Sequence, residues 1–171
     1  MTGVRANDDV LLDRLVRAVG GVPGIRAIVL GGSRARGEAT AQSDYDIGLY
    51  YEADNPIDIG RLAKAAMLLP GAGSSSVTAI GEWGPWINGG AWLTVEGKRV
   101  DLLYRDLGKV RLVVDACHAG RVERVYQPRP SACLRLGDLY GRGRAVSGAV
   151  GPGERGGGAE AALRALSAGA G

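Results

Sequence analysis

Three aspartates carry the clearest potential for chemistry in this chain. Asp44 and Asp46 stand two residues apart in DYDIGLYY, a segment that reads as a strand. Alternate residues of a strand point to the same face, so Asp44, Asp46 and Gly48 should share one face. Two carboxylates at that separation repel each other unless a cation lies between them. Hard divalent cations with oxygen ligands, Mg²⁺ above all, fit this arrangement.

A third aspartate, Asp101, lies in the middle of the segment KRVDLLY. Its neighbours Val100 and Leu102 are apolar, and strict alternation puts Asp101 on the opposite face, with Arg99 and Leu103. A carboxylate in a central strand needs a partner or a metal. Taken alone, such an aspartate is more often a surface residue of a hairpin. The combination of three carboxylates on two strands is what favours a site.

A glycine-rich turn directly follows an apolar run. Gly31, Gly32 and Ser33 would bring backbone N–H groups and a hydroxyl to a helix N-terminus. That geometry binds phosphate because the N–H groups and the helix dipole point at the anion. Arg34 and Arg36 add positive charge nearby. Gly-Gly-Ser alone is more often an ordinary turn, and the two arginines are equally well explained as solvated loop residues.

The segment GEWGPWINGGAWLTVEG holds all three tryptophans of the chain. One interpretation is a pocket that binds an acceptor or a base by stacking and hydrogen bonding. Its lining residues would be Glu82, Trp83, Trp86 and Asn88. The alternative is that the tryptophans complete the core of a chain that has no Phe. We expect the core role for Trp92, which lies in a hairpin strand, and both roles stay open for the other two.

Hydrophobic periodicity and turn residues predict the elements that position these side chains. Helices are expected at residues 10–19, 56–69 and 107–117. Strands are expected at residues 25–30, 44–51, 77–80, 91–95, 99–103 and 122–126. The second helix should have Pro56 in its first position and Asp58 in its first turn, and Glu96-Gly97-Lys98 should form a hairpin turn. This order indicates an α/β or α+β fold with one sheet.

Charge and cysteine content exclude several classes of function. The chain carries 21 basic and 18 acidic residues, but residues 1–127 hold 15 of each, so the excess of positive charge lies later. A domain without net charge attracts the phosphate backbone of long nucleic acid only weakly, which argues against such a partner. One His and two Cys without C-x-x-C spacing argue against a zinc site. With no spanning apolar stretch and no signal-peptide core, we expect a cytoplasmic protein without a membrane partner.

Residues 128–171 differ in composition from the rest. They contain 11 Gly in 44 residues, against a usual ~7%, and one aromatic, Tyr140. We therefore expect a well-specified domain at residues 1–127, followed by a poorly specified tail rich in Gly, Arg and Ala. The sequence leaves the oligomeric state open.

The order of the motifs resembles a known family. GGSRARGEATAQSDYDIGLYY is similar to the G-S-x-A-x-G…S-D-x-D-[LI] signature of the nucleotidyltransferases related to DNA polymerase β. The resemblance covers residues 25–106, with VDLLY supplying the third carboxylate. Close matches are small bacterial nucleotidyltransferase-domain proteins, which include aminoglycoside nucleotidyltransferases and minimal antitoxin-type enzymes. The resemblance implies a mixed sheet with helices packed mainly on one face.

The same resemblance implies roles for individual residues. Gly32 and Ser33 would contact the nucleotide phosphates, while Asp44 and Asp46 would be ligands of two Mg²⁺ ions. Asp101 would be the third ligand and the general base. A nucleoside monophosphate would pass from a nucleoside triphosphate, with ATP favoured, to an acceptor hydroxyl, and pyrophosphate would leave.

Several alternatives stay open at this level. Arg34 or Arg36 would offset charge on the leaving pyrophosphate, and both are counted with the nucleotide-binding residues. The acceptor is a small aminoglycoside-like molecule, a protein hydroxyl or an RNA end. The alternative function is a non-catalytic nucleotide-binding or antitoxin-like partner protein, against which the three intact carboxylates argue. A P-loop or Rossmann binder is excluded because neither glycine motif is present.

Gly48 departs from the family, which often has an apolar residue there, and should leave its strand less supported.

The tail has two interpretations. Relatives continue past residue 126 with a segment similar to SAIYMGEVA, where this chain reads LGDLYGRGR at residues 136–144. Codons exist for these nine residues that, read one nucleotide further on, encode that segment. We interpret the tail as an out-of-frame reading of GC-rich coding sequence, with a natural flexible tail as the alternative. On the first interpretation, residues after about 128 do not pack and activity is weak or absent.

Overall fold

The computed structural model describes residues 3–72, 75–121 and 144–145. Its helices are Gly3–Val19 (α1), Gly32–Arg36 (α2), Ile59–Met67 (α3) and Leu107–His118 (α4). Its strands are Ala27–Leu30 (β1), Tyr45–Tyr51 (β2), Ser76–Val77 (β3), Gly90–Val95 (β4), Lys98–Asp106 (β5) and Arg144–Ala145 (β6). The helices and strands predicted within these residues are present, with shifted ends. The strand predicted at 122–126 lies outside the described residues.

The strands form one mixed sheet in the order β3-β4-β5-β2-β1-β6. The central pair, β2 and β5, is parallel, whereas all other neighbours are antiparallel. Between β4 and β5, Glu96 and Gly97 have φ angles of 51° and 73°. Positive φ at both central residues is what a tight hairpin turn of matching twist requires. The predicted mixed α/β fold and the predicted hairpin are therefore confirmed.

The main hydrophobic core lies between one face of the sheet and the helices α1 and α3. Alternation along β2 points Tyr45, Ile47 and Leu49 into this core. The helices contribute Leu11, Leu15, Val19, Leu62 and Ala66. Burying each large apolar side chain stabilises the fold by roughly 1.5–3 kcal/mol. No helix within the described residues is both long enough and apolar enough to cross a membrane.

The opposite face of the sheet carries a smaller apolar cluster under α4. Its buried residues are Ala27, Val29, Tyr50, Leu107 and Val110. Helix α4 starts at a cap, because the Asp106 side chain accepts hydrogen bonds from the N–H groups of Gly108 and Lys109. Further along the same face lie Asp46 and Asp101, which are only partly buried. This second face therefore offers polar side chains at the surface.

Helix α3 begins later than predicted, at Ile59 instead of Pro56. The reason is Asp58, whose side chain accepts a hydrogen bond from the Arg61 N–H at 2.9 Å. That bond makes Asp58 the N-cap, since it satisfies one of the unpaired donors of the first turn. Ile57, just before the cap, is buried in the core.

Within the predicted tail, the structure describes Arg144 and Ala145. They pair antiparallel with Leu30 and Val29 at the outer edge of β1. An uncovered strand edge presents backbone N–H and C=O groups that readily accept another strand. These two residues therefore depart from the expectation that nothing after residue 128 packs. The remainder of residues 128–171 lies outside the described residues.

Candidate active site

The sheet brings two of the predicted aspartates side by side. Asp46 of β2 and Asp101 of β5 are partners in the parallel register, so both side chains leave the same face from strands roughly 4.8 Å apart. The antiparallel partner of Asp101 on its other side is Trp92 of β4. Beyond Asp46 lies Gly31, whose N–H donates to the Asp46 carbonyl at 2.7 Å. We call these four positions, Trp92, Asp101, Asp46 and Gly31, the site row.

The glycine turn is pressed against Asp46. Gly32 opens α2 with a φ of 63°, a conformation that glycine adopts without steric cost. A Cβ atom at this position would collide with Oδ2 of Asp46. Ser33 follows in the first turn of α2. The turn predicted to bind phosphate therefore lies beside the predicted metal ligand, and the nucleotide contacts themselves stay a prediction.

Asp44 lies one residue before β2 and faces a cation of the chain itself. Its Oδ1 accepts a hydrogen bond from Nη2 of Arg99 at 2.6 Å. Because Tyr45 and Val100 are register partners, Asp44 and Arg99 occupy the next positions along the two parallel strands. The structure thus brings Asp44 to the same region as the other two aspartates and gives its carboxylate a guanidinium partner.

Arg34 and Arg36 both make contacts within the protein. Arg34 donates to the carbonyl of Asp44 at 3.1 Å and to the preceding carbonyl at 2.6 Å. Its guanidinium also lies 3.8 Å from the centre of the Tyr45 ring, a favourable cation–π distance. Arg36 pairs with Glu38 at 2.8 Å. Arg34 therefore fixes the backbone that carries Asp44, and a direct contact of either arginine with nucleotide stays a prediction.

Gly48 continues this face of β2 beyond Asp46. A Cβ atom on Gly48 would lie 2.7 Å from Cε2 of Tyr50, so the aromatic ring lies across the glycine. Burial among residues that include Leu107 and Val110 raises the pKa of Tyr50. The missing side chain of Gly48 is thus replaced by a ring from two residues further on. The strand is supported here, contrary to the expectation from the sequence.

Trp83 and Trp92 form an aromatic pair on the face of the site row. Their ring centroids are 4.5 Å apart and their planes meet at 33°. Trp83 also lies over Gly90, where a Cβ atom would come within 2.6 Å of the ring. Both tryptophans are only partly buried. The expectation that Trp92 is a core residue is wrong, because alternation along β4 sends its two neighbours into the core and Trp92 to the face of Asp101.

The other residues predicted for an acceptor pocket have different surroundings. Asn88 is only 6% exposed, and its Nδ2 donates to two loop carbonyls at 3.4 and 3.5 Å. Its Oδ1 has no hydrogen-bond partner among the described residues. Asn88 therefore supports its own loop from within. Glu82 is exposed, and Trp86 is partly buried in the same loop. The charge of Glu82 also acts on Tyr104: burial is the main reason that the pKa of Tyr104 is raised, and the negative charge of Glu82 raises it further.

The donor set suits a hard divalent cation, although it is not assembled as a complete cluster. Within residues 3–72, 75–121 and 144–145, no group of three or more His, Cys, Asp and Glu side chains is placed to hold a metal ion. Asp46 and Asp101 adjoin in register, while the carboxylate of Asp44 is paired with Arg99. Carboxylate oxygens are the ligands that Mg²⁺ prefers. Asp44 is the third aspartate of this region, and the role of all three as metal ligands stays a prediction.

Sequence reasoning assigned no function to Arg99 or Trp92. Alternation along β5 already put Arg99 on the face of Asp101, but its partner Asp44 belongs to another strand and is identified only by the register. Trp92 alternates with apolar neighbours, which was the available signal that it lies on the face opposite the core. Both residues therefore could have been placed on the correct face, and the predicted hairpin turn could have placed Trp92 opposite Asp101. The contact of Arg99 with Asp44 depends on the register of the two parallel strands.

The comparison with known families agrees with this geometry. The model of the nucleotidyltransferase domain family matches residues 11–110, which is more than half of the 171 residues. The chain therefore belongs to the nucleotidyltransferase domain family, and the resemblance drawn from its motifs is confirmed at that level. The matched range contains all three aspartates and the glycine turn. No curated protein matches the chain.

Proposed function

We propose that the chain is a metal-dependent nucleotidyltransferase that transfers a nucleoside monophosphate from a nucleoside triphosphate to an acceptor hydroxyl. The observation that carries this proposal is the in-register pairing of Asp46 with Asp101 beside the glycine turn. Two carboxylates side by side repel each other, and a bound divalent cation would offset that repulsion. Membership of the family supports nucleotidyl transfer as the reaction.

Asp46 and Asp101 would hold Mg²⁺, and Asp44 would complete the ligand set. All three residues are only partly buried. Two bound Mg²⁺ ions, the number expected for this family, would neutralise the triphosphate and acidify the acceptor hydroxyl. The rest of the mechanism depends on the residues of the chain.

The triphosphate would lie on the glycine-turn side of Asp46. There the backbone N–H groups at the start of α2 and the Ser33 hydroxyl would donate to phosphate oxygens. Gly32 lacks the Cβ atom that would crowd Asp46, so the start of α2 and the Asp46 carboxylate can lie side by side. Arg34 would act by holding the backbone of Asp44, and Arg36 would add positive charge. ATP is the first nucleotide to test.

Asp101 is the proposed general base. In the site row it lies between Asp46, on the phosphate side, and Trp92. It would accept the proton of the acceptor hydroxyl while the acceptor oxygen bonds to the α-phosphorus. The bond from the α-phosphorus to the bridging oxygen breaks, and pyrophosphate leaves with that electron pair.

The acceptor would approach over Trp83 and Trp92. A partly exposed aromatic pair offers a face for stacking against a ring or an apolar group. A small molecule or a protein side chain suits this platform better than long nucleic acid does, because residues 1–127 carry no net charge. We place the reaction in the cytoplasm, where nucleoside triphosphates are available.

Calorimetric titration of ATP, with and without Mg²⁺, tests the proposal on the wild type and on Asp44→Asn. We expect binding that requires Mg²⁺ in the wild type and is lost in the variant. The matched control is Asp13→Asn, because Asp13 is exposed on α1 and pairs with Arg17 away from the site row. Pyrophosphate release with added hydroxyl acceptors then measures transfer.

Two outcomes would contradict the proposal. The first is ATP binding that needs no Mg²⁺ and is retained in Asp44→Asn, which would favour a non-catalytic nucleotide-binding or antitoxin-like partner protein. The second is an equal loss of binding in Asp13→Asn, because that would point to an effect of charge on the whole domain.

A further inference from the structure

We propose that Arg99 is a resident counter-ion of the metal site, which holds the Asp44 carboxylate until a divalent cation displaces it. Arg99 would thereby compete with the metal for one of its ligands and set the metal affinity of the free protein. This inference rests on the proposed metal-dependent function and adds a residue that the sequence motifs do not contain.

The contact between Arg99 and Asp44 is short but open to solvent. Nη2 of Arg99 lies 2.6 Å from Oδ1 of Asp44, and the two side chains are 70% and 37% exposed. A hydrogen bond between two charged groups is shorter and stronger than one between neutral groups. An exposed ion pair nevertheless contributes little net stability, because water solvates both partners when they separate. Such a pair can be exchanged for a metal at low cost.

The backbone around Asp44 is held independently of Arg99. Arg34 donates to the Asp44 carbonyl at 3.1 Å. Lys98, the residue before Arg99, donates to the carbonyl of Ala41 at 3.0 Å and so ties the same loop to β5. When the ion pair between Arg99 and Asp44 breaks, these two contacts keep the loop in place. The exchange would therefore move the Asp44 carboxylate and the Arg99 side chain, and leave the backbone of the site unchanged.

The charge balance explains why such a residue is useful. Three aspartates converge on one end of the second face, where two of them are register partners. The guanidinium of Arg99 offsets one of the three negative charges in the metal-free protein, and a bound cation would take over that role. Arg99 also lies two residues before Asp101 on β5. The same strand therefore carries a proposed metal ligand and the residue that competes with the metal for Asp44.

Titration of the full chain with Mn²⁺, without nucleotide, tests the inference. Electron paramagnetic resonance measures the concentration of free Mn²⁺ at each step and so gives the binding affinity. We expect Arg99→Gln to bind Mn²⁺ about two- to fivefold more tightly than the wild type, the gain expected from removing an exposed ion pair. Arg99→Lys keeps the charge and should stay within about twofold of the wild type. The matched control is Arg111→Gln, which breaks an ion pair with Glu52 at 3.1 Å elsewhere in the fold and should leave Mn²⁺ binding unchanged.

A second measurement needs no substitution. In the wild type, the side-chain nitrogen resonance of Arg99 should shift as Mg²⁺ is added, while that of Arg111 stays in place. An Arg99 resonance that is unmoved at saturating Mg²⁺ would overturn the inference, as would Mn²⁺ affinity in folded Arg99→Gln that is equal to or weaker than that of the wild type.

The variant Asp44→Asn separates this inference from the proposed function. Weaker Mn²⁺ binding in Asp44→Asn with no change in Arg99→Gln would leave the metal site intact and remove only the role of Arg99. Full Mn²⁺ affinity in Asp44→Asn would instead mean that Asp44 is no ligand, and the proposed metal site would fail at that residue.

Discussion

At the scale of single residues, the proposed chemistry depends on which side chains adjoin across strands. Asp46 and Asp101 are far apart in the sequence and are partners in the register of β2 and β5. Gly32 touches Asp46 from a third element, since its missing Cβ leaves room for the carboxylate.

The first prediction concerns the paired carboxylates. Asp46→Asn and Asp101→Asn should each lower nucleotidyl transfer at least ~100-fold, because each removes a metal ligand and the second also removes the general base. Without metal, the free energy of unfolding should stay equal or rise by up to ~1 kcal/mol, since opposing like charges are relieved. Transfer assays and urea unfolding measure the two effects. Asp54→Asn, in an exposed turn, is the control, and near-normal turnover in either site variant would refute the assignment.

The second prediction compares two glycines that both have a positive φ angle. Gly32 and Gly37 both have positive φ, 63° and 75°, so alanine should cost each position roughly 1–2 kcal/mol of stability. A new Cβ at Gly32 would push against Asp46, while a Cβ at Gly37 meets nothing within 4 Å. Transfer should therefore fall about 100-fold in Gly32→Ala, as expected for a misplaced catalytic group, and little in Gly37→Ala. Equal activity of the two variants would show that the contact with Asp46 has no functional role.

At the scale of elements, β2 shows how a strand can carry a site on one face and a core on the other. Tyr45, Ile47 and Leu49 are buried in the main core, whereas Asp46 and Gly48 are partly exposed on the second face. The ring of Tyr50 then covers Gly48. The glycine is thus part of the packing of the second face, next to the site row.

The third prediction tests that packing. Gly48→Val should lower the free energy of unfolding by about 1–3 kcal/mol, because the added side chain would overlap the buried ring of Tyr50. The double variant Gly48→Val with Tyr50→Ala should lose less stability than the sum of the two single variants, since the overlap disappears. Chemical unfolding of the four proteins measures the coupling. Strictly additive losses would mean that the ring does not depend on the glycine.

At the scale of the whole molecule, the helices are divided unequally between the faces of the sheet. Helices α1 and α3 cover the main core, and α4 covers the cluster around Tyr50. The region of the second face that carries Asp46, Asp101 and Trp92 is left partly exposed. This division gives a ligand access to the site row while the opposite face stabilises the domain.

The fourth prediction concerns residues 128–171. If the tail is an out-of-frame reading, the coding sequence read one nucleotide further on should encode a segment similar to SAIYMGEVA in place of residues 136–144. Sequencing the coding region checks this directly. A shifted frame without such a segment would favour a natural tail. Hydrogen exchange in the tail as slow as in β1 would do the same, and would extend the pairing seen at Arg144 and Ala145.

The amino-acid sequence by itself predicted the helices α1, α3 and α4, the strands β1 to β5 and the nucleotidyltransferase family, and it singled out the three aspartates as the candidate site. These features are local or are motifs of fixed spacing. The period of apolar residues shows which face of a helix or strand is buried, and a glycine turn before an Asp-x-Asp strand can be found without a structure. Even the face on which Arg99 lies followed from alternation along its strand.

Only the tertiary structure decided which of these residues meet. The register between β2 and β5 depends on how both strands bury their apolar faces against α1 and α3, and a slip of one residue would turn Asp101 into the core. The same register pairs Asp44 with Arg99. These two residues are joined by a long segment of chain whose path the local sequence does not fix, whereas Trp92 lies opposite Asp101 across a short hairpin. The contact between Asp44 and Arg99, like that between Asp46 and Asp101, is therefore a property of the packed sheet.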